Sequence, residues 1–178
     1  SGPAGSGKTT VVARLLETTR LPLRRAITAT TRTPRSGEID GRDYHFWSKD
    51  RFEHELEANN LLEHAVVHGG DYYGTPRAEV DPHRLRGEGV ILVIDVQGAA
   101  QVRRLYPELY SLFLRVPGDR YEERLHIRGD NDAAIERRMK SARFELLRVD
   151  EYNEQLINDR LDDTVRHLEQ RIGRLFSS

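Results

Sequence analysis

The densest chemistry in the chain lies in its first ten residues. Gly2-Pro3-Ala4-Gly5-Ser6-Gly7-Lys8-Thr9 fills every fixed position of the pattern G-x-x-x-x-G-K-[ST]. Glycines permit backbone conformations that turn successive N–H groups onto one anion, and a helix starting behind them adds its positive end. Lys8 can then reach the outer phosphates of a nucleoside triphosphate, and the Thr9 hydroxyl can ligate Mg²⁺. Gly2 through Thr10 is therefore the expected triphosphate-binding segment. The competing reading is a chance glycine-rich turn before a helix. The complete motif, with Val11, Val12, Leu15 and Leu16 following at helical spacing, favours the phosphate loop.

A second cluster reads Thr30-Thr31-Arg32-Thr33-Pro34-Arg35, then Gly37-Glu38 and Gly41-Arg42-Asp43-Tyr44. Two arginines three residues apart on a proline-stiffened segment can converge on one phosphate through bidentate, charge-assisted hydrogen bonds. They can equally be solvated surface arginines, and their spacing leaves both readings open. Asp95 closes the apolar run Val90–Ile94, at the strand end where α/β proteins hold ligands. It also suits the N-cap of the next helix, and both roles can hold at once. Farther on, Arg124 and Arg128 lie four apart, and Arg137-Arg138 follow on another helix; a solvated helix face and a phosphate clamp both fit such charges.

The order of these pieces resembles the guanylate kinase family. The glycine loop, T-T-R-T-P-R, Gly41-Arg42-Asp43-Tyr44, Glu63-His64-Ala65 and Tyr72-Tyr73-Gly74-Thr75 all occur in that family's order, and the likeness spans nearly the whole chain. The resemblance implies an enzyme that transfers the γ-phosphoryl of ATP to GMP, with Mg²⁺, in purine nucleotide metabolism and GMP recycling. By the same resemblance Arg32, Arg35, Tyr44 and Tyr73 hold the GMP phosphate, while Glu63, Thr28 and Thr75 hold the guanine. Asp95 lies near both nucleotides and the metal, and the lid arginines Arg128 and Arg138, with Arg124 and Arg137 matching less well, close over the triphosphate.

Base chemistry supports the acceptor assignment separately. A carboxylate at Glu63 can accept from guanine N1–H and the exocyclic amine, whereas adenine presents a lone pair at N1. Such a mismatch commonly rejects the wrong ligand by about 10⁴. The Thr28 and Thr75 hydroxyls can donate to guanine O6. Four departures from the family pattern stand out: Thr28 in place of serine, an additional residue within His68-Gly69-Gly70-Asp71, a shorter lid loop at Asp130-Asn131-Asp132, and Pro82 where a helix usually runs on. The glycines at 69 and 70 could absorb the additional residue in a bulge, and Pro82 predicts a break or kink.

These residues need elements to hold them. Helical periodicity predicts helices over Thr9–Thr18, from an N-cap at Ser48 to about Asn59, over Gly98–Leu105, from Asp132 to about Asp150, and over Asp162–Phe176. Strands are predicted at Val90–Ile94, as a parallel strand buried on both faces, at Ser111–Val116 and at Leu156-Ile157. Shorter pieces at Ala26–Thr30, Arg42–Trp47 and Leu61–His68 read as a β-rich insertion. The expected fold is α/β, a P-loop nucleoside monophosphate kinase with a parallel sheet core (1–25, 76–123 and 144–178), a β-rich GMP-binding region (26–75) and a helical lid (about 124–143). The strand that normally precedes such a loop is not in the sequence, so that core is expected to lack its first strand.

Composition closes off other classes. The 28 basic and 29 acidic side chains leave a formal charge of −1, with no domain-wide basic footprint for a nucleic acid polymer. The absence of cysteine excludes disulfides and thiolate metal sites, and the seven histidines show no ligand spacing; His64 suits a surface or packing role. No apolar run reaches membrane-spanning length, so a cytoplasmic protein, monomeric or a small homo-oligomer, is expected. Two other functions stay in view. A protein-binding guanylate-kinase-like scaffold domain tends to lose the working loop, which is intact here at Gly7, Lys8 and Thr9. A kinase for another phosphorylated acceptor, such as a ribose phosphate, does not explain Glu63 beside Tyr73 and Thr75.

Overall fold

The computed structural model describes residues 1–67, 70–127, 129 and 131–177, and of Asp119 only the backbone. Its strands are β1 (Leu23–Arg25), β2 (Ala29–Thr30), β3 (His45–Phe46), β4 (Leu61–Val67), β5 (Asp71–Pro76), β6 (Gly89–Ile91), β7 (Leu112–Arg115) and β8 (Glu154–Ile157). Its helices are α1 (Lys8–Thr18), α2 (Lys49–Glu57), α3 (Asp81–Leu85), α4 (Val96–Leu105), α5 (Tyr121–Ile127), α6 (Asp132–Leu146) and α7 (Leu161–Leu175). Two compact units divide them: Ser1–Leu21 with Tyr110–Ser178, and Pro22–Leu109.

In the first unit β7 and β8 pair in parallel, Leu112 opposite Glu154 through Arg115 opposite Ile157. Ser1 continues that pattern: its amino group donates to the Leu112 carbonyl at 2.8 Å, and its carbonyl accepts from Leu114 N–H at 2.7 Å. The chain thus enters the glycine loop aligned with β7. α1 packs on α7, and the buried residues of this unit include Val11, Leu15, Phe113, Leu125 and Val165.

In the second unit β1 and β6 form a parallel pair, and a four-stranded sheet runs in the order β3-β2-β5-β4. Ser48 caps α2, its hydroxyl accepting from Arg51 N–H at 3.2 Å. Phe52 of α2, fully buried, packs with Ala29 and Leu61 on one face of the sheet. Truncating it to alanine belongs to the class of core deletions that cost about 3–5 kcal/mol. The opposite face meets a cluster of Ala26, Leu62, Val80 and Val102, the last from α4. The outer edge of β4 is covered rather than left open. Gln101 of α4 accepts from His64 N–H at 3.2 Å and donates to its carbonyl at 2.6 Å, completing both backbone bonds there.

One irregularity in β4 decides where its side chains go. Leu61 pairs with Pro76 and Glu63 with Thr75, so two residues on β4 oppose one step on β5 and Leu62 is the bulged residue. Regular alternation would put Glu63 on the face of Leu61, against Phe52. With the bulge, Leu62 and Glu63 both turn toward α4, and Glu63 faces Thr75. Three consecutive buried residues, Leu61, Leu62 and Glu63, follow from this reversal.

The structure matches most predicted elements and corrects several. The apolar run Val90–Ile94 is a strand only through Ile91, and its residues are half-buried rather than enclosed, because β6 pairs with β1 alone. The strand predicted at Ala26–Thr30 is confined to Ala29–Thr30, and the one at Arg42–Trp47 to His45–Phe46. β1 and β5 carry no periodic signal strong enough for their prediction. The parallel core appears as two two-stranded pairs, one in each unit. Pro82 does mark a break: a 3₁₀ turn at Arg77–Glu79 gives way to short α3, with the proline in its first turn. The bulge expected within 68–71 falls partly on residues outside those described, while β4 and β5 are paired up to Val67 opposite Asp71.

Candidate active site

The residues expected to bind the phosphate donor lie in the first unit, apart from Asp95. Gly7 caps α1 with φ 89°, a conformation open to glycine, and a Cβ there would stand 2.5 Å from the Asn158 amide nitrogen. The Lys8 ammonium folds back across the loop, donating to the carbonyls of Gly2 and Pro3, the latter at 2.9 Å. Pro3 and Ser6 are buried, Ala4, Gly5 and Gly7 half-buried, and Thr9 and Thr10 exposed on the first turn of α1.

Asn158 braces this loop. Its side-chain N–H donates to the Ser6 carbonyl at 2.9 Å, and its side-chain oxygen accepts from the Thr164 hydroxyl at 3.1 Å. Its backbone carbonyl accepts from Arg124 at 3.0 Å. Loop, α5 and α7 therefore converge on one buried residue. Arg138 sits half-buried on α6, whose N-cap Asn131 accepts from Ala134 N–H at 2.9 Å; Arg137 beside it is exposed. Arg128 lies outside the described residues.

The residues expected to bind the acceptor lie in the second unit and form two clusters. In the first, Arg32 is gripped bidentately by Glu38, each guanidinium nitrogen 2.9 Å from a carboxylate oxygen, and its Nε donates to the Tyr73 hydroxyl at 3.2 Å. The guanidinium also stands 5.3 Å from the centre of the Tyr44 ring, which meets Tyr73 edge-on at 6.0 Å. Burial disfavours the Arg32 cation, yet the bonds to Glu38 and Tyr73 outweigh it and hold its pKa above the usual value. Burial likewise pushes the Glu38 carboxyl up, but Arg32 and the Arg35 amide more than offset this and keep it below the ordinary carboxylate range. Arg35 enters through its backbone N–H, 2.6 Å from Glu38, while its side chain is exposed. The structure thus joins Arg32, Tyr44 and Tyr73, and adds Glu38, whose place in the motif was visible but whose contact was not.

In the second cluster Glu63 is 3 % exposed, and one of its carboxylate oxygens accepts from the Thr75 hydroxyl at 2.6 Å. Burial pushes its pKa up to about 7; the Thr75 bond opposes this and the nearby Asp95 charge adds to it. Asp95 caps α4, accepting from Gln97 and Gly98 N–H at 2.9 and 2.8 Å, so the capping role read from sequence is present. Thr28, buried just before β2, completes the residues expected around the base.

A phosphate-binding loop opening a helix of an α/β protein, with an arginine–tyrosine cluster and a buried carboxylate in the other unit, defines a P-loop kinase. Comparison with known proteins narrows the class. The guanylate kinase family model matches residues 1–175. A curated guanylate kinase from Gloeobacter violaceus is 44 % identical over 173 residues, covering 96 % of this chain and 83 % of its own length. One from Synechocystis sp. is 41 % identical over 176 residues, covering 97 % and 91 %. The crystal structure of guanylate kinase from Anaplasma phagocytophilum superposes with a TM-score of 0.80 at 28 % identity, covering 96 % of this chain and 82 % of that one. The chain belongs to the guanylate kinase family. It is an enzyme, a kinase, and its reaction is the ATP-dependent phosphorylation of GMP.

Proposed function

We propose that the residues assembled in the two units divide this reaction between them. The observation that carries the proposal is the almost fully buried Glu63 carboxylate, fixed by Thr75. Such a group suits a ligand edge with two N–H donors, which guanine has and adenine lacks. Thr28 donates to guanine O6, while Thr75, whose one hydroxyl proton goes to Glu63, serves the base through that carboxylate. Arg32, Arg35, Tyr44 and Tyr73 bind the GMP phosphate, and Glu38 holds the Arg32 guanidinium in its plane.

On the donor side Gly2 through Thr10 bind the triphosphate, with Lys8 offsetting charge on the transferring group. Thr9 offers an exposed hydroxyl oxygen, the donor type a hard cation takes, and Mg²⁺ keeps most of its shell from water and phosphate. When bound there, the ion would neutralise phosphate charge. Arg138 and Arg128, in a lid spanning about 124–143, add further positive charge, and Asp95 orients the acceptor side. Little covalent chemistry falls to the protein, because the GMP phosphate oxygen is already an anionic nucleophile; alignment and charge neutralisation do the rest. A cytoplasmic location and a monomer or small homo-oligomer complete the proposal. Among the described residues no helix is long and apolar enough to cross a membrane.

The test is a coupled ADP-release assay with GMP and AMP as acceptors. A strong preference for GMP is expected, and Glu63→Gln should lose that preference while leaving the KM for ATP nearly unchanged. An equal loss of ATP binding would make Glu63 a structural residue.

A further inference from the structure

Gly98 lies inside α4, where glycine weakens a helix relative to alanine because it restricts the unfolded chain least. Its φ is not in the left-handed region, so the backbone does not call for glycine. The surroundings do. A Cβ at position 98 would stand 2.2 Å from one carboxylate oxygen of Glu63 and 2.9 Å from its carboxyl carbon. The Glu63 side chain therefore lies flat on the first turn of α4, in the space a methyl group would fill. On its other side Thr75 holds the second carboxylate oxygen at 2.6 Å. Both seats are required: Thr75 sets the orientation, and the bare backbone of Gly98 sets the depth.

From this geometry we infer that Gly98 is a specificity-determining position for the acceptor base. Resting on the reading of Glu63 as the group that binds guanine, the inference adds that the missing side chain at 98 is what lets that carboxylate reach its place. A methyl group there does not touch the ligand. It displaces the Glu63 carboxylate, the flexible partner in the contact, and so misaligns the acceptor for guanine N1–H and the exocyclic amine. Gly98 is thus a positioning residue, acting through Glu63.

The experiment compares Gly98→Ala, Glu63→Ala and the double variant, each with GMP and AMP as acceptors and with thermal melting. Gly98→Ala should raise the KM for GMP more than about tenfold and lower the preference for GMP over AMP, with the KM for ATP within about twofold of the parent. Its melting temperature should hold or rise, because alanine is the better helix former; a residue serving only the helix would not give that pattern. In the Glu63→Ala background, adding Gly98→Ala should change the KM for GMP less than about twofold. An unchanged KM for GMP in the single variant overturns the inference, as does an equal loss in both backgrounds. Should Gly98→Ala fail to fold, Glu63→Ala must restore folding; if it does not, the glycine serves some other contact and the inference falls. Intact GMP preference in Glu63→Ala alone overturns instead the reading of Glu63. Lost preference there with full preference in Gly98→Ala overturns only the role of Gly98.

Discussion

Glu63 is the residue where burial and function meet most directly. Its pKa is pushed up to about 7 from the usual 4.5, so the folded protein holds the proton more tightly than the unfolded chain does. The protonated group contributes stability that is fully present below pH 4.5 and lost as pH rises through about 7. In the proposed role Glu63 accepts from guanine as the ionised carboxylate, so below that pH guanine binding must expel the proton. Guanosine is the better probe, since the GMP phosphate titrates in the same range. At pH 6 its binding should release close to one proton, read from binding enthalpies in buffers of different ionisation heat, and its affinity should fall about tenfold per pH unit below 7. Glu63→Gln should abolish the release; release that persists in this variant assigns it to another group. The phosphate loop was legible residue by residue, because its constraint is local: glycines, a lysine and a hydroxyl at fixed spacing. Glu63 and Tyr73 were legible only through a family pattern. Gly98 was visible merely as the start of a helix, since its purpose depends on a side chain from a distant strand.

Among the elements, the bracing of the loop by Asn158 is the least local feature. Its side-chain amide joins Ser6 to Thr164, across 152 residues of sequence in the longer bond, and its backbone carbonyl holds Arg124 of α5. No periodicity announces such a contact. Asn158→Ala should destabilise the folded protein by about 1–3 kcal/mol, the cost of leaving buried hydrogen-bonding groups unpaired. Chemical denaturation would measure it, and a rise in the KM for ATP larger than that for GMP should accompany the loss. Helix boundaries were read well where caps are explicit, as at Ser48. Strands were read poorly where they are two or three residues long, because β1, β2 and β3 owe their existence to partners rather than to alternation. The bulge at Leu62 had no signal either: Leu61-Leu62 reads as an ordinary apolar pair.

At the level of the whole molecule, near-neutral net charge leaves individual sites to set the response to pH. The two units carry titrations of opposite sign. In the first, Glu154 of β8 is bound by Tyr110, His167 and Arg171, the last at 2.9 Å. Burial would raise its pKa, but those bonds outweigh it and bring it to about 2. Its contribution to stability is therefore present above pH 4.5 and lost as pH falls through about 2. Glu154→Gln should lower the melting temperature at pH 7 and flatten its decline between pH 4.5 and 2; a parallel decline in both proteins would sink that assignment. The hairpin of β4 and β5 has a consequence of another kind. Its base is closed by Arg77, whose backbone N–H bonds the Asn60 carbonyl at 2.8 Å and whose side chain bonds that of Asn59 at 3.0 Å. Because the inside–outside code changes phase at Leu62, this hairpin is a cassette for grafting. Chimeras with relatives that exchange it from Asn59 through Arg77 keep the acceptor carboxylate aimed at its helix, whereas a crossover inside it that drops one residue inverts every side chain between the join and the turn.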